Sequence, residues 1–203
     1  MRITDSVERI DGTMANTYVV RNEGKIILVD AGMKSSAKKI IEFFDSHSEK
    51  PDAVLITHYH PDHIGGLSQI VKKYGSEVYA HQNEVDVIRG VRKLQPAKSL
   101  LSKMVSSVSK SEPVEQVENL DNLPFGWIRV VETQGHTPGS TSYLFEPENL
   151  LFVGDAVTVK GGKTSLNKQF TLDMAEAQKS QQKILSMKGA TILPGHGDPL
   201  RIE

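Results

Sequence analysis

Hydrophobic positions along this chain fall into short runs that alternate with stripes at helical spacing. "NTYVVRN" and "GKIILVDAG" read as strands joined by the turn "NEG". The second is a near-continuous apolar run, as in a strand buried on both faces. In "SSAKKIIEFFDSHSEK" the spacing becomes helical, with Ile40, Ile41, Phe43 and Phe44 as the inner stripe and Ser35 or Ser36 as the cap. "PDAVLITH" is a strand, "GGLSQIVKKYG" a helix closed by Gly75, and "SEVYAH" a strand again. "NEVDVIRGVRKL" reads as helical. After Pro96, "AKSLLSKMVSSVSK" places Leu100, Leu101, Met104, Val105 and Val108 on one face, which predicts a helix packed on the core, with a lid or a dimer contact as the alternatives. "PVEQV", "GWIRVVET", "STSYLFEP" and "NLLFVGDAV" read as strands, "LDMAEAQKSQQKILSMKG" as a helix, and "ATILPGHGDP" as a last strand.

The two halves echo each other. A strand ending in Asp30, a helix, and a strand ending in His58 are matched by a strand ending in Asp155, a helix, and a strand ending in His196. Two βαβ-like halves predict an α/β fold of two packed sheets with helices outside, and active sites gather where such strand ends meet.

The 203 residues are read as one domain, 1–203. A net charge of −1 offers no electrostatic attraction to nucleic acid or an anionic membrane, so the expected partner is a small-molecule substrate. Without cysteine the chain has no disulfide, no thiol nucleophile and no thiolate ligand for a metal. The start, "MRITDSVERIDG", lacks the apolar core of a signal peptide, and no apolar run is long enough to span a bilayer, so a cytoplasmic location is expected. The oligomeric state is not legible.

The chemistry concentrates in "THYHPDH". Side chains at i and i+2 of an extended segment face the same way, so His58 and His60 form one pair of donors. Pro61 turns the chain, and Asp62 and His63 then face a second point. Four donors so close in sequence suit two ions better than one. His136 in "GHTPGS", Asp155 in "VGDA" and His196 in "PGHG" each follow a strand and supply the remaining donors. One ion takes His58, His60 and His136; the other takes Asp62, His63 and His196; Asp155 bridges, and a shared position is left for water. Asp62 binds through one oxygen and is the expected catalytic residue, its other oxygen holding the nucleophile and shuttling a proton. His47 and His81 have no such company and read as solvated or packed. Tyr59, between two ligands, is expected to point into packing. Lys160, Lys163 and Lys168, after the bridging aspartate, read as an exposed basic loop, with binding of an anionic substrate as the alternative.

The H-x-H-x-D-H pattern at His58, His60, Asp62 and His63, followed by His136, Asp155 and His196, resembles the metallo-β-lactamase fold hydrolases, in particular the small glyoxalase II-like branch. The resemblance covers nearly the whole chain, from "DAG" at Asp30 to "PGHG". It implies a four-layer αββα sandwich with a metal cleft along one edge of the sheets, and it implies that Asp30 supports a ligand, as a buried carboxylate orienting an imidazole would. The activity implied is binuclear, hydroxyacylglutathione hydrolase-like hydrolysis of a thioester, ester or lactone by a metal-bridging hydroxide. The cofactors implied are two divalent ions, zinc first, with iron and manganese compatible with the donors. The competing readings are a persulfide dioxygenase-like enzyme with one iron on His58, His136 and Asp155, and a nucleic-acid-processing or binding member of the same fold.

Overall fold

The computed structural model describes residues 1–108 and 111–203, with side chains 105–108 left undescribed. The first half runs β1 (Val7–Ile10), β2 (Thr17–Asn22), β3 (Lys25–Val29), α1 (Ala37–Ser46), β4 (Ala53–Leu55), α2 (Pro61–Ile64), α3 (Leu67–Tyr74), β5 (Glu77–Ala80), α4 (Gln82–Ile88), α5 (Leu100–Val108) and β6 (Glu118–Asn119). The second half runs β7 (Ile128–Glu132), β8 (Thr141–Phe145), β9 (Leu150–Gly154), β10 (Thr158–Lys160), β11 (Lys163–Ser165), α6 (Met174–Leu185), β12 (Thr191–Pro194) and β13 (Leu200–Arg201). Strands β1 to β6 form one sheet in chain order, and a second sheet has the order β13-β12-β9-β8-β7.

The period-two alternation of the strands sets the layers. Val19, Leu28, Val54 and Val78 face outward and are covered by Ile40 and Phe44 of α1, Leu67 and Ile70 of α3, and Val85 and Ile88 of α4. Their neighbours Val20, Ile27, Val29 and Leu55 face the second sheet and meet Tyr143, Phe145, Phe152 and Leu193. On the far side, Leu144, Leu151, Val153 and Ile192 are covered by Ile184 of α6. The result is the four-layer αββα sandwich, with both expected βαβ units present: β3 and β4 pair in parallel across α1, and β9 and β12 across α6. Because the units are parallel, Asp30, His58, Asp155 and His196 all follow the carboxyl ends of their strands.

Two tyrosines tie the sheets together at that end. Tyr18 of β2 donates its hydroxyl to the Pro194 carbonyl across the core at 2.8 Å. Tyr143 of β8 donates to the Ile56 carbonyl at 2.6 Å in the opposite direction. Each acceptor is two residues before a histidine of interest, so the struts hold both strand ends that lead into the cluster.

Several elements differ from expectation. Strand β1 is not evident in the sequence pattern. "PVEQV" forms no strand: pairing is limited to β6, while Val114 and Val117 fill the core from an irregular segment. "VTVKGGKTS" folds as the hairpin β10–β11, because Gly161 and Gly162 both take positive φ (57° and 72°) and make the two-residue turn. Ser36 stands at the N-cap of α1 without a side-chain cap bond, since a single 3₁₀ turn leads directly into the helix. The expectation that α5 packs its apolar stripe on the core is corrected: Leu100, Leu101 and Met104 are 76%, 43% and 60% exposed. Val105 and Val108 have undescribed side chains, and Ser109 and Lys110 lie outside the described residues. Helical spacing gives a common face but not what covers it. Among the described residues, no helix is long and apolar enough to cross a membrane.

Removing the Tyr143 hydroxyl takes the side-chain donor from the buried Ile56 carbonyl, whereas the Pro194 carbonyl keeps Asn16 Nδ2 at 2.9 Å when Tyr18 loses its hydroxyl. Tyr143→Phe is expected to lower unfolding free energy by about 1–2 kcal/mol, and Tyr18→Phe by less, about 0.5–1 kcal/mol. Urea titration followed by tryptophan fluorescence checks this, and unchanged midpoints for both would contradict it.

Candidate metal centre

The segment after β4 builds half of the site. An irregular segment carries Thr57 to His60, with His60 itself extended at φ −64° and ψ 147°. Pro61 then occupies the first position of α2, where a missing N–H costs nothing, and the helical turn presents Asp62 and His63. Asp30, just past β3, sits at φ 61°, a left-handed conformation unfavourable for a residue with a Cβ. It is held there from several sides. Its amide donates to the Leu55 carbonyl at 2.9 Å, and its carboxylate accepts from the Thr57 amide and hydroxyl, both at 2.8 Å.

All seven sequence-predicted donors converge. Three sets place their ligand atoms within 4.8 Å of one another: His58, His60 and His136; His58, His63 and Asp155; and Asp62, His63 and His196. His58, His63 and His136 are fully or almost fully buried. Asp155 joins the sets, with Oδ1 3.4 Å from His63 Nε2 and Oδ2 3.6 Å from Nε2 of both His136 and His196.

The hydrogen-bond network fixes which nitrogen of each ring is free. Asp30 Oδ2 accepts from His63 Nδ1–H at 2.7 Å, leaving His63 Nε2 to face the cluster. The Thr57 hydroxyl is already spent as a donor to Asp30, so at 3.1 Å from His58 Nδ1 it accepts. The Thr171 hydroxyl donates to the Asn167 carbonyl and accepts from His136 Nδ1 in the same way, at 3.3 Å. His58 Nε2 and His136 Nε2 therefore carry lone pairs, and both point at His60 Nδ1, at 3.1 and 2.9 Å. A proton on His60 Nδ1 can point at only one of these two nitrogens, which leaves the other's lone pair without a donor. Beyond this triangle, His63 Nε2 and Asp155 Oδ1 are buried with no hydrogen-bond partner. Nitrogens about 3 Å apart, with orphaned polar atoms beside them, are what divalent cations bonded at ~2.0–2.1 Å would satisfy. The residues present fit such ions.

Electrostatics agree with that fit. Burial first, then neighbouring imidazoles, pushes His58 well below the ordinary histidine range and His60 down to about 3, and burial also lowers His136. For His63, burial works downward, but Asp30, Asp62 and Asp155 outweigh it and hold its affinity for a proton well above normal. For Asp62, burial works upward, yet His63 and His196 bring the carboxyl down to about 2; Asp155 is likewise held low by His63, His136 and His196. The hydrogen bond to Asp62 raises His196. Both carboxylates are thus ionised, ready for cations.

The remaining histidines stay out of the cluster. His81 caps α4, accepting from the Asn83 amide, and His47 Nδ1 lies 2.8 Å from the Phe43 carbonyl at the end of α1. Tyr59 is buried, as expected. Lys160, Lys163 and Lys168 are exposed.

Sequence reasoning missed Glu84. This carboxylate is fully buried and accepts from the Tyr59 amide (2.7 Å), the Thr137 hydroxyl (2.9 Å) and the Gly139 amide (2.6 Å). Tyr59 lies between His58 and His60, and Thr137 follows His136, so one side chain clamps the two loops that carry the all-histidine set. Burial pushes the carboxyl up to about 7, against the pull of its three donors. The overlooked signal was positional: Glu84 shares the buried face of α4 with Val85 and Ile88.

The sequence profile of the metallo-beta-lactamase superfamily matches residues 10–196. The probable metallo-hydrolase YflN of Bacillus subtilis (strain 168) is 30% identical over 219 residues, covering 92% of this chain and 82% of that protein. Among solved structures, BLEG-1 B3 metallo-beta-lactamase superposes with a TM-score of 0.77 at 25% identity, covering 97% of this chain and 94% of that one. TTHA1623 in a di-iron-bound form superposes with a TM-score of 0.76 at 22% identity, covering 96% and 93%.

Glu84→Ala removes three bonds to a buried carboxylate and is expected to cost about 2–4 kcal/mol of stability. Because the clamp spans the His58 and His136 loops, the variant is also expected to bind cobalt(II) more weakly at the all-histidine set. Visible absorption during cobalt titration reads this directly. A variant with wild-type stability and an unchanged cobalt spectrum would remove the clamp from the account.

Proposed function

Because this chain belongs to the metallo-beta-lactamase superfamily, we propose that the cluster is a binuclear metal centre and that the protein hydrolyses a thioester, ester or lactone. The observation that carries this reading is the convergence of seven donors, among which His63 Nε2 and Asp155 Oδ1 are buried without a hydrogen-bond partner. His58, His60 and His136 would hold one ion and Asp62, His63 and His196 the other. Asp155 would lie between them, a position supported by its equal 3.6 Å distances to His136 and His196. Imidazole and carboxylate donors without thiolate suit zinc, which we take as the resident metal. The di-iron form of the fold neighbour makes iron the alternative. Of the superfamily's branches, the glyoxalase II-like one is the reading we favour, on the H-x-H-x-D-H pattern together with Asp155.

When bound, the two ions supply the Lewis acidity that makes water nucleophilic near neutral pH and polarises a carbonyl. The chain's own residues do the rest. Asp30 fixes the His63 ring through Nδ1, and Thr57 and Thr171 do the same for His58 and His136. Asp62 faces the cleft and bonds His196 through Oδ2 at 3.1 Å. Its second oxygen is the group we assign to the attacking water. His63 and His196 keep Asp62 ionised, and its task is to orient the water and pass a proton toward the leaving group rather than keep it. The buried histidines exclude bulk water from the floor, where a fixed polar environment acts most strongly.

Stripping metal with a chelator should abolish hydrolysis across a panel of thioesters, esters and lactones, and adding back zinc or iron(II) should restore it; full activity in metal-free protein would overturn the reading. Asp62→Asn, in metal-loaded protein, is expected to lower kcat by about 10²–10⁴-fold with a smaller change in KM. Metal uptake also has a defined pH dependence. Metal-free His63 holds its proton more tightly than an ordinary histidine, and coordination through Nε2 expels it. Affinity should therefore rise with pH up to the raised His63 pKa and flatten above it. Calorimetry in buffers of different ionisation enthalpy should show proton release near pH 7, and an absence of release would contradict the assignment.

A further inference from the structure

The cluster opens into a cleft whose walls and floor have different chemistry. The floor holds His60, Asp62, Asp155 and His196, and the cavity above it measures about 480 Å³. Its walls include Met14, Met33, Leu94 and Phe170. Met14 is 69% exposed, a high value for a large apolar side chain, and the other three are partly exposed. These four come from separate parts of the chain: the loop after β1, the loop after β3, the segment after α4, and the turn before α6. Apolar side chains contributed from four directions around one polar floor make a built wall rather than a chance exposure.

The charges around this wall complete the picture. Among the described residues, no lysine or arginine lines the cleft. Lys34, beside Met33, binds Glu112 at 2.7 Å, while Lys93, beside Leu94, and Lys168, two residues before Phe170, are exposed and are not among the residues that line the cleft. Lys160 and Lys163 flank the turn of the β10–β11 hairpin, exposed. Of the two polar wall residues, Thr158 is bonded across that hairpin to Ser165, and Asn167 accepts from the Gln169 amide through Oδ1; neither carries a charge. A substrate tail with carboxylates would find no counter-charge on these walls and would lose its hydration for nothing. An alkyl or aryl tail would gain contact with two methionines that adapt to its shape.

We propose that the cleft selects substrates whose scissile carbonyl carries an uncharged apolar acyl chain of several carbons, and discriminates against chains that end in a carboxylate. This rests on the hydrolase reading above and names the substrate class for the same site. The floor receives the carbonyl; Met33, Leu94 and Phe170 receive the chain.

The test uses metal-loaded protein and a series of acyl esters with one common leaving group: acetyl, butyryl, hexanoyl, octanoyl, and adipoyl, which matches hexanoyl in length but ends in a carboxylate. kcat/KM is expected to rise roughly twofold to fourfold per methylene, or about 15- to 250-fold from acetyl to hexanoyl, as buried apolar surface accrues. Adipoyl should fall at least tenfold below hexanoyl. Phe170→Ala should reduce the hexanoyl-to-acetyl ratio at least fivefold. Because both rates come from one preparation, that ratio is independent of the folded fraction. Equal rates for acetyl and hexanoyl, or adipoyl matching hexanoyl, would overturn this inference and leave the hydrolase reading intact. No hydrolysis of any member, nor of the thioesters and lactones of the wider panel, by protein shown to contain its metal, would remove both.

Discussion

Two imidazole lone pairs aimed at one ring nitrogen about 3 Å away in a dry interior call for more positive charge than a single proton there supplies. In this protein His58 Nε2 and His136 Nε2 both face His60 Nδ1, and their outer nitrogens are committed to threonine hydroxyls that can only accept. Rotating the rings would break those bonds, so the shortfall cannot relax locally. The same holds for His63, whose outer nitrogen is fixed by Asp30, itself pinned in a left-handed backbone conformation. A cation resolves all of these conflicts at once. Without one, the site stores them, and the ionised Asp62 and Asp155 with protonated His63 are a partial substitute.

The fold can hold such a cluster because the strain is spread over rigid supports. Parallel βαβ units deliver donors to the same end of both sheets. Tyr18 and Tyr143 cross the core in opposite directions and fix the carbonyls at which two of the ligand loops begin. Glu84 ties the third loop, around His136, to the first. Gly195 shows how little room is left: a Cβ there would stand 2.6 Å from Asp155 Oδ1 and 2.7 Å from the His63 ring. Backbone approaches the donors so closely that glycine alone fits next to His196.

Much of this was legible in the sequence. Strands that are apolar on both faces, the two βαβ echoes, and all seven donors could be read from period, spacing and residue type. The supporting role of Asp30 came with the family resemblance, as a carboxylate orienting an imidazole, and the bond to His63 Nδ1 has that form. Other features depended on information that spacing does not carry. The exposure of Leu100, Leu101 and Met104 depends on what lies opposite their helix face. The lack of a strand at Val114 and Val117 reflects side chains that fill the core without a paired backbone. Glu84 and the two tyrosine struts bond main-chain atoms far away in sequence, and main-chain partners leave no signature in residue identity. The cleft's apolar wall is likewise assembled from four separate segments, each unremarkable alone.

The site therefore combines a charged, fully scaffolded floor with a wall that offers no charge at all. On the proposed reading the floor sets the reaction class, and the wall sets what can reach it. Everything depends on the floor holding two ions. The most direct measurement is anomalous diffraction from crystals grown with metal, collected on both sides of its absorption edge. The account requires two peaks, one bonded by His58, His60 and His136 and one by Asp62, His63 and His196, with Asp155 in contact with both. A single peak, or metal bound only outside these side chains, would contradict it.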